Sequence, residues 1–260
     1  MKIGYWIGGI ILQKIKLKLI NISKSFPLNH QLFPVLNNIS LDVFEKEFLS
    51  IVGPSGCGKT TLIRIIAGLE KPSIGSVMLN GEELKGPSKK IGYVPQEFSL
   101  FPWRTVKGNI SFGLELNTVG KKEREKKINE LLELTKLKGF ENFYPKDISG
   151  GMKQKVAIAR ALAIDQEVLL LDEPLISIDA QNRNKLQEDL IEIWQKSGRT
   201  IIFVTHNIDE AVYLSDRIVV LSKRPASIIE IKKINIPRPR NRTSKEFNEI
   251  RAYILKKLEV

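Results

Sequence analysis

Cysteine is nearly absent from this sequence: Cys57 is the only one in 260 residues. That excludes an intramolecular disulfide and fits a reducing cytosol. Long apolar runs are also missing. Residues 4–12, after Lys2, form an apolar stretch too short to cross a bilayer. The stretch has the look of a signal-peptide core, but Gln13-Lys14-Ile15-Lys16 follows where a small-residue cleavage site would be needed. Residues 1–15 therefore read as an N-terminal extension. No other segment is apolar for long enough to span a membrane, so the chain reads as soluble or peripheral. Negative charge is in short supply as well. Lys and Arg number 41 against 29 Asp and Glu, a net charge of +12. That balance fits nucleic acid, an anionic membrane surface, or simply water around a lysine-rich surface. Internal repeats and low-complexity segments are absent. The hydrophobic fraction, 42%, is ordinary for a globular chain, and the length suits one large domain or two small ones.

What is present is concentrated in residues 47–69, EFLSIVGPSGCGKTTLIRIIAGL. Residues 48–52 are a short apolar run with β-branched content, the pattern of a buried strand. Gly53-Pro54-Ser55-Gly56-Cys57-Gly58-Lys59-Thr60-Thr61 follows and fits Gly, four residues, Gly-Lys-Ser/Thr. Leu62, Ile63, Ile65, Ile66 and Leu69 then recur at helical spacing, with Gly68 near the helix end. Strand, glycine loop and helix N-terminus together make a phosphate cradle. Glycines allow the tight turn that aims backbone N–H groups at phosphate oxygens. The positive end of the helix adds to them. Lys59 supplies a point charge to the β- and γ-phosphates, and the Thr60 hydroxyl can ligate Mg²⁺. Cys57 lies inside the loop, where its small size is reason enough for it.

Before this stretch, residues 16–23 alternate, with Leu17, Leu19 and Ile22 as inward positions, and residues 36–44 alternate again. Both read as strands, and Phe26 is expected in a polar loop after the first. Residues 76–79 and 90–94 read as further strands, with the hairpin signal Asn80-Gly81 between them. An antiparallel sheet is therefore expected around the phosphate-loop strand. Residues 97–165 read as a helical insertion. Within it, 121–137 is a charged helix with Ile128, Leu131, Leu132 and Leu134 on its apolar face. A second helix covers 152–163. From residue 168 the chain alternates: strand 168–171, helix 179–196, strand 200–204, short helix 207–214, strand 217–221. That order implies right-handed crossovers and a parallel sheet. From Lys223 the tail is basic, eleven Lys or Arg against four Glu. It contains Pro237-Arg238-Pro239-Arg240 and a helix over 245–258, and reads as a solvated extension packed by one face.

The strand at 168–171 ends in Asp172-Glu173-Pro174. An acid at the end of an apolar strand, about 110 residues after a phosphate loop, is the expected partner of that loop. Asp172 would hold the Mg²⁺ shell. Glu173 would project toward the γ-phosphate, where a carboxylate can orient and deprotonate an attacking water. Ser149-Gly150-Gly151 repeats the logic of the first loop: a hydroxyl and glycine N–H groups at a helix N-terminus form a second anion site. Read alone, without the phosphate loop, those three residues are better taken as a helix N-cap with a glycine turn.

Together with the phosphate loop and the Asp172-Glu173 pair, Ile148-Ser149-Gly150-Gly151-Met152-Lys153-Gln154 resembles the signature of ATP-binding cassette (ABC) transporter ATPases. Ile148 stands in place of the usual Leu. The resemblance covers about residues 16–258. It implies an α/β fold: a P-loop NTPase core with a mostly parallel sheet, an N-terminal antiparallel β subdomain and a helical insertion subdomain. The ATPase domain would span 16–236, with the insertion at about 97–165, and 237–260 would be a basic helical tail. The resemblance also implies residue roles. Phe26 would stack on adenine. Gln96 would reach Mg²⁺ or the water and sense a transmembrane partner. His206 would hydrogen-bond the γ-phosphate. Ser149, Gly150, Gly151 and Gln154 would close over ATP held by a second copy, and Asp179 would contact that copy. Leu175-Ile176-Ser177-Ile178 departs from the family's Phe-Gly-Ala-Leu in this turn.

The implied protein is a homodimeric, Mg²⁺-dependent ATPase on the cytoplasmic face of the membrane. It would work with permease subunits and, indirectly, an extracytoplasmic substrate-binding protein, without nucleic acid. Phe101-Pro102-Trp103, Tyr144-Pro145, Gly151-Met152 and the Pro-Arg-Pro-Arg tail resemble nitrate, sulfonate and taurine importers. Importers of pyrimidine precursors share many of these motifs. A nucleic-acid-associated ABC ATPase fits the charge, but the chain has one phosphate loop and no long coiled-coil insertion. A lone phosphate-loop kinase does not account for Ser149-Gly150-Gly151 or His206.

Overall fold

A computed structural model describes residues 5–7, 10–29, 31–117 and 119–259. Residues 1–4 and 8–9 of the expected extension lie outside the described residues. The chain opens with β1 (Tyr5–Ile7), β2 (Ile10–Leu12), β3 (Ile15–Leu28), β4 (Gln31–Phe44) and β5 (Phe48–Val52). Helix α1 (Lys59–Ile66), β6 (Ile74–Leu79), β7 (Glu82–Glu83) and β8 (Ile91–Val94) follow. Next come α2 (Val106–Leu116), α3 (Lys121–Leu134), α4 (Gly150–Ala163), β9 (Val168–Asp172) and α5 (Ala180–Ser197). The last elements are β10 (Thr200–Val204), α6 (Ile208–Leu214), β11 (Arg217–Leu221), β12 (Ile228–Lys233) and α7 (Lys245–Leu258). Two compact units divide the chain: Met1–Ser88 with Phe203–Val260, and Lys89–Ile202.

The first unit contains an antiparallel sheet of order β4-β3-β6-β7. Its strands alternate, as a half-covered sheet requires: Leu17, Leu19, Ile22, Ile39, Leu41 and Val43 are buried. Asn80 and Gly81 both have positive φ, 53° and 85°, and turn β6 into β7 as the hairpin signal expects. In the same unit β12-β11-β5 are hydrogen-bonded neighbours, with β11 parallel to β5 and β12 antiparallel to β11. Every residue of β5 and β10 is buried, the mark of strands covered on both faces. Among them Phe48 and Phe203 meet with ring centroids 5.9 Å apart.

The second unit carries β9 and β8, which pair in parallel. This corrects the expected place of residues 90–94. They join the parallel strands and not the antiparallel sheet, which is also separate from the strand before the phosphate loop. The cause is visible in β8: Ile91, Gly92 and Val94 are all buried, so the strand is not the alternating kind. A Cβ on Gly92 would lie 3.1 Å from the Gln166 side chain. Around these strands α2, α3 and α4 bury Ile110, Leu114, Ile128, Leu131, Leu132, Val156 and Ile158. The Asp189 carboxylate of α5, almost wholly buried, accepts from Lys136 at 2.7 Å and pairs with Lys155 at 2.6 Å. Helix α2 and strand β12 were not expected from the sequence.

Candidate nucleotide-binding and hydrolysis residues

The first unit supplies the phosphate loop. Strand β5 delivers it, and α1 begins at Lys59 with Gly58 as its N-cap residue. Gly58 sits at φ 122°, which disfavours any side chain, and a Cβ there would come within 2.9 Å of both Leu36 Cδ2 and Val35 Cγ1. The loop is therefore seated against β4. Gly53 is close to Leu221, where a Cβ would be 3.1 Å from the Leu221 Cβ. Cys57 is buried beneath the loop, while Ser55, Gly56 and Thr60 are exposed and Pro54 and Thr61 half-buried. Lys59 is buried and folds its ammonium back over the loop, donating to the Gly53 carbonyl at 2.9 Å and the Pro54 carbonyl at 3.0 Å. The loop thus combines a fixed cation, exposed backbone and the positive end of a helix.

His206 follows β10 in the same unit and is exposed. Its neighbours are held. The Thr205 N–H donates to the Ile51 carbonyl of β5 at 3.2 Å. The Thr205 hydroxyl donates to Glu210 at 2.7 Å and accepts from the Asn207 N–H at 3.0 Å. Asn207 caps α6, its Oδ1 accepting from the Asp209 N–H at 2.9 Å. Phe26 lies inside β3, not in a loop, directly across from Phe33 of β4. The polar run Ser23-Lys24-Ser25 conceals this continuation of the strand. The Lys24 ammonium covers one face of the Phe26 ring at 4.7 Å and is held by Glu70 at 2.6 Å.

The second unit supplies the acids and the glycine-rich signature. Strand β9 is buried throughout and ends at Asp172, 1% exposed. The Tyr93 hydroxyl of β8 donates to Asp172 Oδ2 at 3.2 Å. Sequence reasoning missed Tyr93, because nothing in a four-residue strand marks one side chain as an acid's partner. Glu173 comes next, half-buried, with φ 46°. A non-glycine residue in that left-handed region is uncommon and strained, and such strain clusters at functional positions. Gln96 is exposed two residues past β8.

Ser149 is the N-cap of α4: its Oγ accepts from the Met152 N–H at 3.3 Å. Ser149 is exposed, and Gly150 and Gly151 are half-buried. A Cβ on Gly151 would meet nothing within 4 Å. The signature therefore presents an open helix N-terminus. Gln154 does not share that face; it is 0% exposed. Asp179 caps α5, accepting from the Asn182 N–H at 3.0 Å and its side-chain amide at 2.8 Å. Those bonds from Asn182, the side-chain amide first, hold the Asp179 carboxyl below its ordinary range.

Among the described residues no group of three His, Cys, Asp or Glu side chains gathers to hold a metal. No described helix is long and apolar enough to cross a membrane.

Known proteins resemble this chain. The family model described as ABC transporter matches residues 36–176. An uncharacterized ABC transporter ATP-binding protein of Methanocaldococcus jannaschii is 54% identical, covering 93% of this chain and 91% of its own length. The aliphatic sulfonates import ATP-binding protein of Bacillus cereus is 48% identical, covering 92% and 94%. A solved dimeric ATP-binding cassette in a post-hydrolysis state with ADP and Pi superposes with TM-score 0.74 at 32% identity, covering 85% of this chain and all of that one. A Clostridium perfringens subunit, part of an ABC transporter complex, superposes with TM-score 0.77 at 26% identity, covering 85% and 89%.

Proposed function

This chain belongs to the ABC transporter ATP-binding family and is an ATPase, and on that premise we propose that it powers an importer for a small anionic solute. The observation that carries the reading is the exposed N-terminus of α4, with Ser149, Gly150 and Gly151, on a chain that already owns a phosphate loop. A second anion-binding surface calls for a second nucleotide, and two copies facing each other satisfy both. In the proposed cycle each copy's signature closes over ATP held by the other, with Asp179 at the contact.

The roles follow from chemistry. Lys59 and the N–H groups of Gly53 and residues 55–61 hold the β- and γ-phosphates, and Phe26 stacks on adenine. Thr60, Asp172 and Gln96 offer hydroxyl, carboxylate and amide oxygens, the hard set that Mg²⁺ takes. The ion, when bound, neutralises charge building on the phosphate oxygens. Asp172 suits this role: its carboxylate is buried and oriented by Tyr93. Glu173 orients and deprotonates the attacking water. His206 donates to the γ-phosphate. Gln154 is buried on α4, the signature helix itself, away from its exposed end. Opening after hydrolysis resets the transporter.

The second unit has large apolar side chains left exposed, available to a permease helix. Trp103 is 72% exposed, Leu116 70% and Phe143 43%. With Gln96 these side chains would couple nucleotide state to the permease, at the cytoplasmic side of the membrane and indirectly to a binding protein. The sulfonate import relatives favour a sulfonate, nitrate or taurine-like cargo. Vesicles containing this chain, its permease and the binding protein test the assignment. Aliphatic sulfonate added with the binding protein should raise ATP hydrolysis. Stimulation by a pyrimidine precursor alone would reassign the cargo, and none by any solute would refute import.

A further inference from the structure

We propose that the C-terminal tail is a positioning element for His206: Arg238 and Arg240 grip the far end of α6 and so hold the turn that carries the histidine. The inference rests on the role given to His206 above.

A helix leaves its last four carbonyls without partners inside itself. In α6 an arginine serves each carbonyl from 212 to 215. Arg240 Nη1 donates to the carbonyls of Val212 at 2.6 Å, Tyr213 at 3.1 Å and Ser215 at 2.7 Å. Its Nε donates to the Ile236 carbonyl at 3.0 Å, which anchors the guanidinium to its own segment. Arg238 Nη2 donates to the Leu214 carbonyl, and its Nη1 donates to Asp216 at 2.7 Å. Arg240 is 5% exposed, and burial pulls its guanidinium down to about 10. A solvated tail would not bury a cation among backbone carbonyls. Two more arginines meet α6 along its length. Arg242 covers the Tyr213 ring at 3.6 Å, and Arg251 pairs with Asp209 at 3.0 Å.

The other end of α6 is latched to the histidine turn. Thr205 bonds Glu210 and Asn207, and Asn207 caps the helix. His206 is exposed, and the residues on either side of it, Thr205 and Asn207, are held by these bonds. Helix α6 is only seven residues long, about two turns. A shift at its arginine-held end is carried to residues 205–207 with little to absorb it. The basic Pro-Arg-Pro-Arg segment thus has a specific purpose beyond charge.

The test uses the full chain with Mg²⁺ and ATP. His206→Ala comes first. A large fall in hydrolysis to a measurable residual rate, with ATP binding retained, establishes the role on which the grip depends; full hydrolysis refutes that role and the grip's purpose with it. Arg240→Ala should then lower kcat at least about tenfold while KM for ATP stays within about twofold. Arg240→Lys should recover part of the loss. In the His206→Ala background Arg240→Ala should cost nothing more, since coupled residues are not additive. If folded Arg240→Ala keeps kcat within about twofold of the parent, the grip is refuted while the role of His206 stands. An equal fall in both backgrounds refutes it too. Should Arg240→Ala fail to fold, Arg238→Ala is read by the same criteria.

Discussion

Replacing Glu173 by glutamine changes one carboxylate oxygen to an amide nitrogen and almost nothing in shape. The residue stands at the end of the buried strand β9, at φ 46°, and its carbonyl accepts from the Ile176 N–H at 3.3 Å. Glutamine carries the same left-handed backbone cost, so folded stability should change by less than about 0.5 kcal/mol. Catalysis should not survive. A positioned general base contributes roughly 10²–10⁴ in rate. At about 1.4 kcal/mol per tenfold, that is roughly 3–5 kcal/mol of transition-state stabilisation. Binding of ATP does not use the carboxylate, and removing a negative charge from the γ-phosphate's surroundings favours it. The variant should therefore release phosphate at no more than about a hundredth of the parent rate. Its affinity for ATP should be undiminished, and it should accumulate as a dimer in Mg²⁺ and ATP. Phosphate release, titration with a fluorescent ATP analogue and sedimentation measure the three quantities. Steady turnover within about threefold of the parent would remove Glu173 from its role.

Further expectations concern the first unit. Gly58→Ala places a Cβ 2.9 Å from Val35 and Leu36 at φ 122°, so it should lose about 1–3 kcal/mol in urea unfolding and weaken ATP binding; an unchanged midpoint would refute the seating of the loop on β4. Phe26→Ala should weaken ATP binding by about 1–3 kcal/mol while Phe26→Tyr does not, as stacking predicts; equal affinity in all three proteins would move adenine elsewhere. Burial, opposed mainly by Arg217, raises the Glu47 carboxyl from 4.5 to about 7. A raised folded value means that its stabilising contribution is complete below about pH 4.5 and is lost as pH rises through about 7. Relative to Glu47→Gln, the parent should therefore lose stability between pH 5 and pH 8 in urea titrations; a constant difference would contradict it.

Much of this was legible in the sequence because the residues are multiply constrained. The phosphate loop needs glycine at Gly58 for both its φ and its contact with β4, so motif and fold coincide. Strands β5, β10 and β11 could be bounded from apolar runs because two-sided burial leaves few polar interruptions, Ser50 being the one inside β5. Where burial is one-sided or polar residues intervene, the pattern weakens. Phe26 looked like a loop residue because Ser23, Lys24 and Ser25 break the alternation of β3, while cross-strand pairing with β4 keeps it in the sheet. Strand β12 reads IIEIKK, half-exposed and charged, and is held by pairing with β11, which no local signal announces. Helix α2 contains Gly108, Gly113 and β-branched residues, so tertiary packing of Ile110 and Leu114 overrides its propensity. The bonds from Arg238 and Arg240 to α6 span more than twenty residues, and a basic composition says nothing of them.

The central claim is that an active centre takes its phosphate loop from one copy and its signature from the other. Mixing two inactive proteins tests it most directly: Lys59→Ala, with a disabled phosphate loop, and Ser149→Arg, with a blocked signature. Each alone should be inert. In a mixed dimer one centre inherits both lesions and the other inherits neither, so equal mixing should restore about a quarter of the parent ATPase rate. If signature and phosphate loop served the same nucleotide within one chain, every centre would keep a lesion. No activity at any mixing ratio would then contradict the account.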